Sequence, residues 1–300
     1  MKISGAITAL ATPMKSDGTI DFSSLKNLIE YQISEGINAL VSVGTTGESA
    51  TVDVEEHLEI IKFFIEVTNG RIPIIAGTGA NSTQEAITLT HEAKKLGADA
   101  ALLVSPYYNK PTQEGLFLHF SEIAEKVDLP QIIYNVPSRT ASNVDVSTVG
   151  RLCSHKNIIG IKDATGDMGV LENLQKECKL EIDTGNFSLY SGDDETSFDF
   201  ILKGGHGTIS VTSNILPKLV VNMYEAAKSN SEEGKNIKES LRKINKLLFL
   251  ESNPIPVKYA LHLMGLIDKG IRLPLTWLDE RFHSEIQNEL KVLKLSLIHI

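Results

Sequence analysis

Eight short apolar runs punctuate the first two-thirds of this chain, with helical patterns between them. They are GAITALATP (5–13), ALVSVGTTG (39–47), PIIAGTGA (73–80), AALLVSP (100–106), QIIYNVP (131–137), IIGIKDA (158–164), SLYSGDD (188–194) and GTISVTS (207–213). Their apolar stretches are continuous rather than alternating, as in strands covered on both faces. Between them, apolar positions recur at helical spacing. Leu25, Leu28, Ile29, Ile33 and Ile37 do so around 21–36, Val54, Leu58, Ile61, Phe64 and Ile65 in 54–67, and Ala86, Leu89, Ala93 and Leu96 in 85–96. Eight strand–helix units in series predict an α/β fold, the (β/α)8 TIM barrel. A doubly wound open sheet is the structural alternative, but no GxGxxG follows the first run, so its dinucleotide-binding version loses support.

About seventy residues follow the eighth unit. The segments 214–229, 236–250, 253–265 and 275–295 read as helices separated by Asn, Gly and Pro breaks. The expected division is a catalytic barrel over 1–229 and a C-terminal helical region over 230–300. With no low-complexity linker between them, the second part should pack on the first. The final SLIHI (296–300) carries no readable signal.

Composition narrows the function classes. The chain has 300 residues, 42% hydrophobic and 22% charged, with a net charge of −9. An acidic chain of this kind argues against general nucleic-acid binding, while a local arginine can still govern a pocket for a small anion. Two cysteines, Cys153 and Cys178, exclude a disulfide framework, and with no Cys/His cluster they predict no structural metal site. His57, His91, His119 and His206 lack metal-ligand spacing and read as structural or surface residues. No apolar stretch is long enough for a membrane span and the N-terminus has no signal-peptide pattern, so a cytoplasmic protein is expected.

In a barrel of this class the active site lies where the strands end, and polar residues cluster there: GTTGES (44–49), GTGAN (77–81), SPYYNKP (105–111), YNVPSRT (134–140), KDATGD (162–167), SGDDE (191–195) and GTISVTSN (207–214). Lys162 ends a run of β-branched residues. Desolvation there disfavours the ammonium form and supplies a free amine for a Schiff base with a carbonyl substrate. In isolation it reads rather as a strand-end lysine reaching water. GTTGES offers glycines and backbone N–H groups for an anion, or a turn that satisfies only itself. Tyr134 could shuttle a proton, or be a core tyrosine with its hydroxyl bonded. Arg139 could grip a carboxylate, or be a solvated surface residue. Tyr107 and Tyr108 read as loop aromatics at an interface. Asp193 and Asp194 read as a helix N-cap rather than a metal site.

Taken together, GTTGE, SPYYNKP, YNVPSRT, GIKDATGD, SGDD and GGHGTISVTSN resemble the dihydrodipicolinate synthase family, within the pyruvate-dependent class I aldolases, over essentially the whole chain. The resemblance implies a lyase that condenses pyruvate with L-aspartate 4-semialdehyde, with no metal and no organic cofactor. It implies Lys162 as the Schiff-base residue, Tyr134 as the proton-shuttling phenol, and Thr45 as its link to Tyr108, a tyrosine normally supplied by a neighbouring subunit. It assigns the pyruvate carboxylate to Thr45 and Thr46, the semialdehyde carboxylate to Arg139, and pocket backbone to Gly192 and Ile209. It also implies a homotetramer of two tight dimers, with feedback binding of L-lysine at Ser49, Ala50, Val54, His57, Asn81, Glu85 and Tyr107. Val54 departs from the pattern, because lysine-inhibited members often carry a histidine there. Lysine is therefore expected to bind, with Glu85 left for its ammonium group.

Two rivals bear on this reading. Sugar-acid aldolases such as N-acetylneuraminate lyase share the lysine, the glycine-rich turn and the tyrosine, but resemble this chain less around Arg139. A non-catalytic binding barrel would be expected to lose the lysine, the tyrosine or the arginine, all of which are present.

Overall fold

The computed structural model describes residues 3–295 and 297, so SLIHI lies outside the described residues except for Leu297. Eight parallel strands form one closed barrel in sequence order: β1 (Gly5–Ala9), β2 (Ala39–Ser42), β3 (Ile74–Gly77), β4 (Ala100–Val104), β5 (Gln131–Asn135), β6 (Ile158–Asp163), β7 (Ser188–Ser191) and β8 (Gly207–Ser210). The barrel closes by pairing β1 with β8, Ile7 opposite Ile209. Each strand starts within one residue of its apolar run and stops one to five residues before the run does. The shortfall is the polar end of each run, where the chain leaves the ladder to form the loops of the barrel mouth.

Burial on two sides explains why the runs do not alternate. Ile7, Val41, Ile75, Leu102, Ile132 and Ile209 fill the barrel interior. Their neighbours point outward: Leu40 and Ile74 cluster with Leu28, Ile60 and Phe64 of the surrounding helices, and Leu103 and Ile133 with Leu116, Phe120 and Leu174. The helices Phe22–Ser34, Val54–Thr68 and Thr83–Leu96 match their predicted segments to within two residues. Each begins at an acceptor side chain: Asp21, Asp53 in a capping box with Glu56, and Ser82. In the second of these the apolar stripe is displaced, for Val54 is 52% exposed while His57 is buried.

After the eighth barrel helix, Pro217–Lys228, come helices Glu232–Leu247, Ile255–Leu263 and His283–Val292. They share one apolar cluster with the barrel: Ile237, Leu241, Ile244, Val257, Leu261 and Leu290 pack together with Leu10, Leu25 and Val43. The predicted helix over 275–295 is corrected. Only His283–Val292 is α-helical, preceded by a 3-10 turn at Glu280–Phe282. Asp279 caps that turn by accepting the Arg281 N–H at 3.0 Å. Trp277 is held upstream, edge-on to Tyr259 and His262. Aromatic packing and a new cap therefore outweigh the helical spacing. Among the described residues, no helix is long and apolar enough to cross a membrane.

Candidate active site

Strand parity carries Lys162 into the barrel. On β6 it stands in register with Tyr134 of β5 and Tyr190 of β7. The lysine is only 6% exposed. Its Nζ lies 4.1 Å from the centroid of the Tyr134 ring, and among the described residues it has no hydrogen-bond or ion-pair partner. A cation or amine over an aromatic face is held without consuming its lone pair or protons.

Three neighbours shape the space around the amine. A Cβ on Gly192 would stand 2.8 Å from Lys162 Cε, so only a glycine lets the lysine stem lie where it does. A Cβ on Gly160 would meet the Tyr190 ring at 2.9 Å. Tyr190 is fully buried and donates its hydroxyl to the Ile3 carbonyl at 2.8 Å. Burial pushes its phenol up to about 12.

Lys162 opens into a cavity of about 230 Å3 at the C-terminal mouth of the barrel, lined also by Tyr134, Thr45, Thr46, Arg139 and Gly192. Two of the glycine-flanked turn's expected functions separate here. The N–H groups of Gly47, Glu48 and Ser49 are spent inside the turn, on Gly44 and Thr45 carbonyls. Those of Thr45 and Thr46 have no acceptor among the described residues, and both residues line the cavity. Gly44 lines the cavity as well, and its N–H likewise has no acceptor among the described residues, so the anion nest is narrower than GTTGES suggests, three residues wide. Arg139 sits on a one-turn helix, Pro137–Thr140, whose proline fixes the entry φ. It is exposed at the mouth, and Nη2 donates to the Asn253 carbonyl at 3.4 Å.

Other predicted positions lie elsewhere. Tyr108 is 89% exposed with φ at +76° and does not line this cavity. Ile209 is buried in the barrel interior, and Val211, two residues on, is the β8-side residue that lines the cavity. The helix-cap reading of the acidic pair is corrected. Asp193 accepts from the N–H and hydroxyl of Thr196 at 3.0 and 2.6 Å, and Thr196 is itself the N-cap residue. Asp194 accepts from the Val211 and Thr212 N–H groups at 2.8 and 3.0 Å, tying the β7 loop to the end of β8, and burial pushes its carboxyl up.

Candidate lysine-site residues gather beside the mouth. Ser49, Ala50 and Tyr107 line a second cavity of about 330 Å3, which also contains Arg139. Asn81 donates to the Tyr107 carbonyl at 3.2 Å. Burial, and secondly the Glu85 carboxylate, push the Tyr107 phenol up. His57 is buried, and its Nε2–H donates to the Gly77 carbonyl at 2.7 Å. A larger cavity, about 680 Å3, lies at the opposite end of the barrel beside Ile3, Cys153 and Lys156. Lys162 does not line it, so volume is a poorer guide to the chemistry here than the convergence of polar groups.

Sequence reasoning missed the C-terminal region's share in the site. Asn253 lines the cavity, and its Nδ2 donates to Thr46 Oγ1 at 3.0 Å. Phe249 lines it too. Lys258 forms an ion pair with Glu48 of the GTTGES turn, and both side chains are wholly buried. One signal was legible: Lys258 is the only Lys, Arg, Asp or Glu in the segment 253–265, and such a residue, when buried, needs a partner.

Comparison with known proteins agrees with this geometry. The model of the dihydrodipicolinate synthetase family matches residues 2–293. The 4-hydroxy-tetrahydrodipicolinate synthase of Pseudomonas savastanoi pv. phaseolicola is 53% identical over 290 residues, covering 96% of this chain and 98% of that protein. The chloride-inhibited dihydrodipicolinate synthase of Acinetobacter baumannii, solved with pyruvate, superposes with a TM-score of 0.94 at 52% identity, covering 98% of this chain and 99% of that one. The Cyanidioschyzon merolae enzyme, solved with lysine bound, gives 0.92 at 34% identity, covering 98% and 99%. A family match across nearly the full length, joined to a lysine amine inside the mouth of a closed eight-stranded barrel, establishes that this chain belongs to the dihydrodipicolinate synthetase family.

Proposed function

We propose that this chain condenses pyruvate with L-aspartate 4-semialdehyde through a Schiff base on Lys162, in cytoplasmic diaminopimelate and lysine biosynthesis. The observation that carries the reading is the Lys162 amine itself, unpaired among the described residues and set against the Tyr134 ring in a cavity shared with Thr45, Thr46 and Arg139. Nζ attacks the ketone carbon of pyruvate, and loss of water gives the imine. Loss of a methyl proton turns the imine into an enamine, whose carbon adds to the aldehyde of the second substrate. The amine of that substrate then attacks the imine carbon, releases Lys162 and closes the ring. The protonated imine accepts the electron pair that the departing methyl proton leaves behind.

The remaining roles follow from position. Thr45 and Thr46 offer two free N–H groups to the pyruvate carboxylate. Arg139, at the mouth, receives the carboxylate of the semialdehyde. Tyr134 moves protons at the imine, with Thr45 linking it to a Tyr108 hydroxyl from a neighbouring chain. Gly192, which lines the cavity, contributes backbone beside the imine; Ile209 does not line it, and its part rests on the family resemblance alone. The exposure of Tyr108, which its own cavity leaves unused, supports an assembly of four chains as two tight dimers. The grouping of Ser49, Ala50, Asn81, Glu85 and Tyr107, with His57 behind them, supports L-lysine as a feedback ligand.

Incubation with pyruvate and borohydride, followed by peptide mapping, tests the reaction. A reduced pyruvyl adduct is expected on Lys162 and is expected to vanish in Lys162→Ala. Absence of an adduct in the folded, unaltered protein would sink the mechanism.

A further inference from the structure

We infer that Glu48 and Lys258 form a positioning lock that sets the Thr45–Thr46 turn against Lys162, which makes the C-terminal region part of the pyruvate site. The inference rests on the proposed reaction, in which that turn holds the pyruvate carboxylate.

The turn needs outside support. Val43 and Glu48, at its two ends, both adopt left-handed backbone, with φ of +48° and +59°. For a β-branched valine this is an outlier that persists only where the surroundings enforce it. Between these residues lie Thr45 and Thr46, whose N–H groups remain available to a ligand.

Glu48 is where the support attaches. Its Oε1 accepts from Lys258 Nζ, and its Oε2 from the Arg272 N–H at 3.2 Å. Arg272 is anchored in turn. Its guanidinium donates to both Glu56 carboxylate oxygens at 2.6 Å, and to the Gly18 and Thr51 carbonyls at 2.9 Å. Asn253, on the same side, reaches Thr46 directly. Three residues of the C-terminal region thus converge on a six-residue turn more than two hundred positions earlier.

Stability alone does not account for the pair. Two wholly buried charges pay a large desolvation cost, and well-packed apolar residues in their place are often as stable or more so. Burial pulls the Lys258 ammonium down, and the Glu48 charge opposes that shift. What the pair does provide is direction: two charge-assisted bonds that fix one carboxylate, and through it the end of the turn. A turn displaced by even about 1 Å would lose the alignment of substrate and nucleophile.

The test begins with borohydride trapping of pyruvate on the unaltered protein, because absence of a Lys162 adduct there defeats the reaction itself rather than the lock. With the adduct established, the double variant Glu48→Gln/Lys258→Met removes both charges without stranding either. It is expected to fold with a melting temperature close to that of the unaltered protein. Its KM for pyruvate should rise at least about tenfold, while that for the semialdehyde stays unchanged. A folded double variant with an unaltered pyruvate KM overturns the lock. If the double variant does not fold, Arg272→Gln decides the matter, since it keeps the pair but releases the backbone that holds Oε2. There a rise of about threefold in the pyruvate KM is expected, and no change overturns the inference.

Discussion

At the scale of single residues, the site depends as much on what is missing as on what is present. Gly192 has no side chain, and that absence gives the Lys162 stem its place. Gly192→Ala would set a Cβ 2.8 Å from both Lys162 Cε and Ala164 Cβ. The lysine must then move off the Tyr134 ring. The expected result is a folded protein whose kcat falls about tenfold or more, equivalent to about 1.4 kcal/mol of lost transition-state stabilisation. Steady-state kinetics alongside circular dichroism checks this, and an alanine variant with full turnover would show that the close contact is immaterial. Lys162, Tyr134, Thr45 and Arg139 were legible in the sequence because each lies at or just beyond the end of an apolar run, where a barrel concentrates its chemistry. The choice between their functional and bland readings was not legible. It turns on whether the side chains converge, and local spacing holds no information about that.

At the scale of elements, periodicity located strands and helices well but misjudged which side chains face inward. Val54 looked like a core position and is exposed; His57 and His119, read as structural or surface residues, are buried. His119, on the helix Gln113–Lys126, shows the cost. Its Nδ1 meets Thr83 Oγ1 at 2.9 Å, its Nε2 has no hydrogen-bond partner among the described residues, and burial pulls the imidazole down to about 4. The folded protein therefore keeps this ring neutral, while the unfolded chain takes up a proton as the pH falls below about 6.5. Stability is accordingly expected to decline from about pH 6.5 towards pH 4 and to lose at most about 3 kcal/mol from this group. Urea unfolding at stepped pH should show a shallower decline in His119→Asn. Parallel profiles for the two proteins would mean that His119 does not titrate as its burial implies.

At the scale of the whole molecule, the C-terminal helices are fastened to the catalytic end by Asn253, Lys258 and Arg272 and share the barrel's apolar cluster. They act as a brace on the mouth. The same mouth presents Tyr108 outward and groups the candidate lysine-binding residues beside it. If neighbouring chains complete each site, sedimentation velocity should give a four-chain particle, and dilution that dissociates it should abolish turnover. In that assembly, lysine at millimolar concentration should lower activity, and Val54→His should strengthen the effect by adding a hydrogen-bonding side chain. An active monomer would remove the shared-site reading, and indifference to lysine would remove the feedback reading.

The order of apolar runs and helical faces determined the barrel, its strand sequence and the end at which chemistry gathers. Those features depend on short-range periodicity and on burial of both strand faces, which are written locally along the chain. Only the tertiary structure decided that Tyr134 lies under Lys162, that three rather than six turn residues face the cavity, and that Lys258 meets Glu48 across 210 positions. Each of these is a contact between segments whose separation in sequence carries no periodic signal. Such contacts exist only once barrel closure has brought the strand ends, and the helices packed over them, around one mouth.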